Sequence, residues 1–221
     1  MLIFWKLLYT GGLAAAVLVL AVIRQAPVYW LALAALVFSW LGDAAMAGFK
    51  PLTRGMSDAG LWGIGFFTAA HLLYILAFAQ YMRMWPQQGW STIVMVTVFA
   101  AAAAAFWWLV CADSGQPLEL KMAALVYAMA LFMMACLAWC SALRLYESTG
   151  FSGFVWPLAL GSALFIISDG MIALDWFKGW SHSWQGIAVW ATYAPAQLML
   201  VMGFWMMRMP ETAVMLGTIG L

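Results

Sequence analysis

Apolar stretches of about 20 residues recur along the whole chain, separated by short segments that carry charge, glycine or proline. A helix that rises ~1.5 Å per residue needs about 20 residues to cross a bilayer core of ~30 Å. The pattern therefore predicts seven transmembrane helices, numbered 1 to 7. Their expected bounds are Leu2 to Ile23, Val28 to Gly48, Ala59 to Gln80, Trp90 to Cys111, Leu120 to Leu143, Phe154 to Phe177 and Gln185 to Met207.

The composition indicates a membrane protein and excludes an ordinary soluble domain. Hydrophobic residues make up 67% of the 221 residues and charged residues 8%, whereas soluble domains average roughly 45–50% and about 25%. A net charge of +1 gives no electrostatic basis for binding nucleic acid. Because all predicted loops are short, we expect one all-α, polytopic transmembrane helix bundle over residues 1–221. Helix 1 is expected to be retained rather than cleaved as a signal peptide.

The basic residues leave the orientation in the membrane open. The side that carries the N-terminus holds Lys6, Lys50, Arg54, Lys121 and Lys178, and the other side holds Arg24, Arg83, Arg144 and Arg208. Such an even division does not orient the chain under the positive-inside rule. We expect a multi-pass protein of the bacterial cytoplasmic membrane, with an oligomeric state that the sequence leaves open.

The three cysteines, Cys111, Cys136 and Cys140, lie in apolar runs, where free cysteine usually behaves as a small hydrophobic residue. No histidine or carboxylate at ligand spacing completes a metal site around them. We therefore expect no disulfide, no metal and no other cofactor.

Two carboxylates lie inside apolar runs, Asp43 within LVFSWLGDAAMA and Asp169 within SALFIISDGMIA. A charged group at mid-membrane costs roughly 3 kcal/mol on insertion scales, so each is a functional candidate. Helices 2 and 6 run in the same direction, which gives the two aspartates similar depths of ~8 Å and ~12 Å from the side that carries the N-terminus. The other acidic residues fall in predicted loops, at termini or, for Asp175, near a helix end.

Further polar residues share this half of the membrane and form pairs with helical spacing. The pairs are Ser39 with Asp43, His71 with Tyr74, and Tyr193 with Gln197. Residues three or four positions apart lie on one helix face, and Lys6 enters from the same side. The pattern predicts a polar pocket open toward one face of the membrane. For any of these Ser, Tyr, Gln or His residues alone, hydrogen bonding between packed helices is the alternative explanation.

Four segments carry two signatures of a known family. FSWLGDAAM (Phe38 to Met46), followed by GIGFFTAAHLLYILAF (Gly63 to Phe78), forms the first, and GSALFIISDGMIAL (Gly161 to Leu174), with TYAPAQLML (Thr192 to Leu200), forms the second. They resemble the signatures of the YhhN family, the lysoplasmalogenases. The resemblance covers helices 2, 3, 6 and 7 in the family's order and spacing.

Two features depart from the family pattern. The family usually has eight spans, and the Lys-Pro-Leu-like motif at the start of its second span corresponds here to Lys6 in helix 1. Either this member works with seven spans or a first helix precedes the given start. The family's paired tyrosines before Ala-Gln are replaced by Tyr193, Ala194 and Pro195 ahead of Gln197, and Pro195 is expected to affect the shape of helix 7.

The resemblance implies hydrolysis of the vinyl ether bond of lysoplasmalogen, a lysophospholipid of the membrane, to a fatty aldehyde and a glycerophospho-alcohol. This reaction requires a general acid that protonates carbon and a carboxylate that stabilises the resulting cation. Two close, buried carboxyl groups titrate as a pair, so one of them can stay protonated near neutral pH. We predict that Asp43, Asp169 and His71 are catalytic. The predicted substrate-binding residues are Lys6, Ser39, Tyr74, Ser168, Tyr193 and Gln197.

Two other classes of function remain open. Buried Asp and His residues also occur in proton-coupled transporters of small molecules or lipids. A non-catalytic lipid-binding or scaffold protein is the third possibility. A rhodopsin-like pigment is disfavoured because helix 7 contains no lysine for a Schiff base.

Overall fold

The structure is a computed structural model that describes residues 2–53, 58–83, 89–150 and 155–207. These ranges contain seven helices of membrane-spanning length and no strand. The long helices are α1 (Leu2–Arg24), α2 (Pro27–Met46), α3 (Ala59–Arg83), α4 (Trp90–Trp107), α5 (Leu118–Thr149), α6 (Val155–Lys178) and α7 (Gln185–Met206). A four-residue helix, Lys50–Thr53, follows α2, and α4 continues into a π-helical turn, Trp108–Ala112.

All seven long helices are apolar enough to cross a bilayer. Their outer faces carry large exposed hydrophobic side chains, as on α4 with Trp90, Ile93, Val94 and Val98. Such a surface is suited to lipid and not to water. The predicted all-α transmembrane bundle is therefore confirmed, and the chain is an integral multi-pass membrane protein. The predicted start of helix 6 at Phe154 and the basic residues Arg54 and Arg208 lie outside the described residues.

Helix α5 differs most from its predicted bounds. The sequence predicts Leu120 to Leu143, but α5 also includes Glu119 and Glu147, which were expected in loops. That prediction was wrong because hydropathy marks only the part of a helix inside the bilayer, whereas charged residues on the helix surface let it continue into water. Arg144 binds Glu147 at 3.0 Å near the end of α5. Gly150 then ends the helix in the left-handed conformation, at φ 66°.

Six of the helices form a closed ring in the order α1, α2, α3, α5, α6 and α7. Each packs against the next, and α7 packs against α1. Helix α4 lies outside this ring against α5, and its π-helical turn reaches α5 and α6. Members three places apart in a ring of six lie on opposite sides. Helix α2 therefore faces α6, and α1 faces α5.

The bundle is filled in one half and hollow in the other. We call the end at which α1, α3, α5 and α7 begin the N-terminal face. Away from this face, Tyr74 and Phe78 of α3 stack on Phe204 of α7 with ring centroids 5.1 to 6.4 Å apart. All three side chains are fully buried. This stack fills the centre of the ring in that half, and the open space in the centre described below lies nearer the N-terminal face.

Helix α7 is held closely by its two neighbours in the ring. It runs without a break through Pro195, and the Tyr9 hydroxyl of α1 donates a hydrogen bond to the carbonyl of Ala194 at 2.5 Å. On its other side, α6 approaches at Gly161, where a Cβ atom would lie 2.9 Å from Cβ of Met199. Only glycine permits that approach. These contacts fix the position of Tyr193, which points into the hollow half.

Candidate active site

A cavity of about 300 Å³ occupies the hollow half of the bundle. Residues from all seven long helices line it, and most of its wall is apolar. Its charged and hydroxyl-bearing lining residues are Lys6, Asp43, Tyr127, Ser168, Asp169 and Tyr193. A concave apolar space with a few polar groups is typical of small-molecule and lipid sites.

A second cavity, of about 260 Å³, lies between the first and the N-terminal face. The two share lining residues, namely Lys6, Met46, Ile172, Trp176 and Val189. The outer cavity also borders Ser181 and His182 in the exposed connection between α6 and α7. The outer cavity therefore connects the inner one to the surface, and Lys6 lies at their junction.

The two buried aspartates belong to opposite walls of the inner cavity. Asp43 is on α2 and Asp169 on α6, which face each other across the ring. Each carboxylate accepts a hydrogen bond from a tyrosine on another helix. Tyr193 of α7 donates to Oδ2 of Asp43 at 2.9 Å, and Tyr127 of α5 donates to Oδ2 of Asp169.

A directional chain of hydrogen bonds ends at Asp43. The Tyr74 hydroxyl donates to Oε1 of Gln197 at 3.3 Å, and Nε2 of Gln197 donates to the Tyr193 oxygen at 3.1 Å. Tyr193 uses its own proton on Asp43. Tyr193 and Gln197 are four residues apart on α7, so both lie on its inner face. Every donor in the chain points toward the carboxylate, which orients the Tyr193 hydroxyl.

A shorter chain ends at Asp169. Nε2 of His71 lies 3.1 Å from the Tyr127 oxygen. When the single hydroxyl proton of Tyr127 is donated to Asp169, Nε2 of His71 is assigned as the protonated nitrogen and the donor. The other nitrogen, Nδ1, is buried with no hydrogen-bond partner in the part of the chain that the structure describes. The Phe165 ring packs edge-on against the imidazole with ring centroids 4.9 Å apart, and neither residue lines the inner cavity.

Lys6 brings a positive charge to the junction of the two cavities. Its Nζ lies 5.3 Å from the centroid of the Trp190 ring, a cation–π distance. The residue is on α1, which packs against α2, the helix that carries Asp43. The Thr10 hydroxyl donates to the Lys6 carbonyl at 2.9 Å. Among the lining groups, Lys6 thus gives the Asp43 side of the cavity a cation that the Asp169 side lacks.

The predicted site residues separate into two groups by depth. Those on the wall of the inner cavity are Lys6, Asp43, Ser168, Asp169 and Tyr193. The other four, His71, Tyr74, Gln197 and Ser39, are fully buried and do not line it. Three of these four support the wall through the hydrogen bonds described above. Ser39 does not, because its Oγ has no hydrogen-bond partner among the described residues.

Sequence reasoning missed Tyr127, which bridges Asp169 and His71. It is the only tyrosine in the interior of helix 5, between Lys121 and Cys136. Its position in an otherwise apolar run was a usable signal, because a hydroxyl at that depth needs a partner. The spacing along α5 alone does not reveal that partner, which lies on a different helix.

The site has no feature of a metal centre among the residues that the structure describes. No group of three or more His, Cys, Asp or Glu side chains is placed to hold an ion. Cys111, Cys136 and Cys140 are free and buried. Cys111 lines the inner cavity, and the other two belong to a separate cluster with Met82. Independence of metal remains a prediction.

The comparisons with known proteins give one finding. The model of the YhhN family matches residues 1–204. No curated protein and no solved structure is similar enough to match the chain. The family match extends well beyond the four segments quoted above. It includes α1, which carries Lys6, and α5, which carries Tyr127, as well as α4. The chain belongs to the YhhN family.

Proposed function

We propose that the protein is a lysoplasmalogenase, which hydrolyses the vinyl ether bond of a lysophospholipid to a fatty aldehyde and a glycerophospho-alcohol. The observation that carries the proposal is the pair of aspartates on opposite walls of an apolar cavity. A cationic side chain stands where that cavity meets the surface. Membership of the YhhN family is consistent with a hydrolase.

The reaction needs acid catalysis at carbon. A carboxylic acid transfers its proton to the outer vinyl carbon, and the π electrons form the new C–H bond. The oxygen-bearing carbon becomes an oxocarbenium ion. Water adds to that carbon and gives its proton to the second carboxylate. The hemiacetal then collapses: the second carboxyl group gives its proton to the glycerol oxygen as the C–O bond breaks, and the first carboxylate takes the proton of the hemiacetal hydroxyl. The aldehyde leaves, and both carboxyl groups return to their starting protonation states. One water is consumed and no cofactor is required.

We assign the acid to Asp169 and the carboxylate to Asp43. Lys6 lies on the Asp43 side of the cavity, so negative charge is favoured there. Asp169 uses Oδ2 to accept from Tyr127, which leaves Oδ1 to hold the transferable proton. When that proton leaves, the Tyr127 hydrogen bond becomes one to a charged group and strengthens. Such an interaction favours the transition state over the ground state.

His71 is assigned a positioning role in this scheme. It does not line the cavity, so it acts by donating to Tyr127 and holding that hydroxyl toward Asp169. Gln197 and Tyr74 do the same for Tyr193 and Asp43. Lys6 is assigned to the phosphate of the lipid, because it is the cation at the entrance of the apolar space.

The test is turnover by the purified protein in detergent. It is given lysoplasmalogen, the saturated alkyl ether lysophospholipid and the acyl lysophospholipid, each with the same chain and headgroup. We expect aldehyde from the vinyl ether lipid alone, because only the vinyl carbon accepts a proton. Activity is expected to survive a metal chelator. Fatty acid release from the acyl lipid at a comparable rate, or no turnover of any lipid, would contradict the proposal.

A further inference from the structure

The inner cavity has an apolar end on the side of α4 and α5. Its walls there are formed by Leu131 and Phe132 of α5, Ile166 of α6 and Phe106 of α4. Phe106 and Phe132 contact each other with ring centroids 6.1 Å apart. None of the hydrogen-bonding residues of the site belongs to this end. The catalytic scheme above does not use it.

The apolar end lies across the ring from the charged entrance. Helix α5 faces α1, which carries Lys6, and α4 packs on the outer side of α5. Along the membrane normal, Phe106 is ~9 Å from Ala112, where the π-helical turn after α4 ends, and Asp169 is ~14 Å from the end of α6, so the two residues lie at similar depths. Polarity therefore decreases across the ring, from Lys6, past the two aspartates, to Phe106 and Phe132.

This order of groups matches a single-chain lipid, which has a charged headgroup, a reacting bond and an apolar chain in that sequence. With a phosphate at Lys6 and a reacting bond between Asp43 and Asp169, the hydrocarbon chain continues toward the phenylalanines. Gly170 of α6 lies opposite Phe106, and a Cβ atom there would be 3.8 Å from that ring. The α6 wall thus has no side chain at this point, and Phe106 and Phe132 close the space.

We infer that the hydrocarbon chain of the substrate binds in this apolar end and that Phe106 and Phe132 set the longest chain it accepts. The inference rests on the proposed function for the placement of the reacting bond. The hydrocarbon chain moves from the apolar interior of the bilayer into an apolar cavity. Its length is therefore selected by how well it fits the cavity and not by transfer from water. A chain too long for a packed wall is disfavoured by overpacking, which corresponds to at least ~5-fold in relative rate.

The experiment compares Phe132→Ala and Phe106→Ala with the unmodified protein over a series of chain lengths. The matched control is Phe99→Ala, which makes the same truncation on α4 but packs against the Met82, Cys136 and Cys140 cluster away from the cavity. We expect both test variants to raise kcat/KM for long chains relative to short ones by at least ~5-fold. The control is expected to leave the profile unchanged. A third variant, Ala128→Phe, fills the cavity and is expected to shift the profile toward short chains.

A second arm separates this inference from the proposed activity. Binding of the saturated alkyl ether lysophospholipids, which have no vinyl carbon to protonate, is measured over the same chain lengths. If no lipid is turned over but binding shows the predicted shifts, the chain site stands and the lysoplasmalogenase proposal fails. If vinyl ether lipids are turned over but the variants and Phe99→Ala give the same chain-length profile, the inference is wrong.

Discussion

Replacing either aspartate by asparagine separates a catalytic role from a structural one. Asparagine keeps an oxygen that accepts a hydrogen bond, so Tyr193 at residue 43 and Tyr127 at residue 169 retain acceptors. It neither donates a proton from oxygen nor carries charge. General acid–base groups contribute about 10²–10⁴-fold, so Asp43→Asn and Asp169→Asn are each expected to lower kcat by at least ~100-fold.

A purely structural role gives the opposite result. Asparagine removes a costly desolvated charge from the bundle, so stability would be unchanged or higher and turnover near normal. The assay is aldehyde release together with thermal unfolding in detergent. Asp113→Asn is the control, because Asp113 is an exposed aspartate outside both cavities. Near-normal turnover of either variant would refute the mechanism.

The double variant tests whether the pair acts as one unit. When two residues act in the same chemical step, removing the second costs little once the first is gone. The double variant is therefore expected to have a kcat only slightly below that of the less active single variant. Multiplicative losses would mean separate roles. Because proton transfer to carbon is the slow step in this scheme, turnover by the unmodified protein is also expected to slow substantially in heavy water.

Three further predictions concern residues around the aspartates. Tyr127→Phe removes the hydrogen bond to Asp169 and is expected to lower kcat roughly 10- to 100-fold. The rate of aldehyde release by this variant is compared with that of Asp169→Asn. Lys6→Gln is expected to raise KM roughly 10-fold or more, because the phosphate loses its cation, and to lower kcat by a smaller factor, because Asp43 loses a nearby positive charge; steady-state kinetics separates the two effects. Gly161→Ala pushes α6 away from α7 and is expected to lower the free energy of unfolding by about 1–3 kcal/mol, measured by thermal unfolding. Gly65→Ala is the control and is expected to cause no such loss, because a Cβ atom at residue 65 meets open space.

The helix faces were predictable from the sequence, but the depth of the cavity was not. Ser39 and Asp43 share one face of α2 by their spacing, yet only Asp43 reaches the cavity. The reason is that Ser39 lies one turn deeper, where side chains from other helices fill the ring. Periodicity within one helix contains no information about those side chains. The same limit explains why Gln197 was assigned to the substrate but lies behind Tyr193.

The number of spans and the two aspartates followed from local physics, whereas the partners did not. An apolar run of membrane length, or a carboxylate within it, is recognisable without the rest of the fold. The bond between Tyr127 and Asp169 depends on the ring order, in which α5 lies beside α6 and α4 is displaced outward. Nothing in a single segment specifies that order.

The position of the outer cavity makes the orientation of the chain a functional property. The outer cavity opens at the N-terminal face, beside His182 and Ser181. The proposed reaction divides an amphiphile into an aldehyde that stays in lipid and a polar fragment that dissolves in water. If the polar fragment leaves through the outer cavity, the compartment that receives it lies on the side of the N-terminal face. Inverting the chain in the membrane would therefore change which compartment recovers the headgroup.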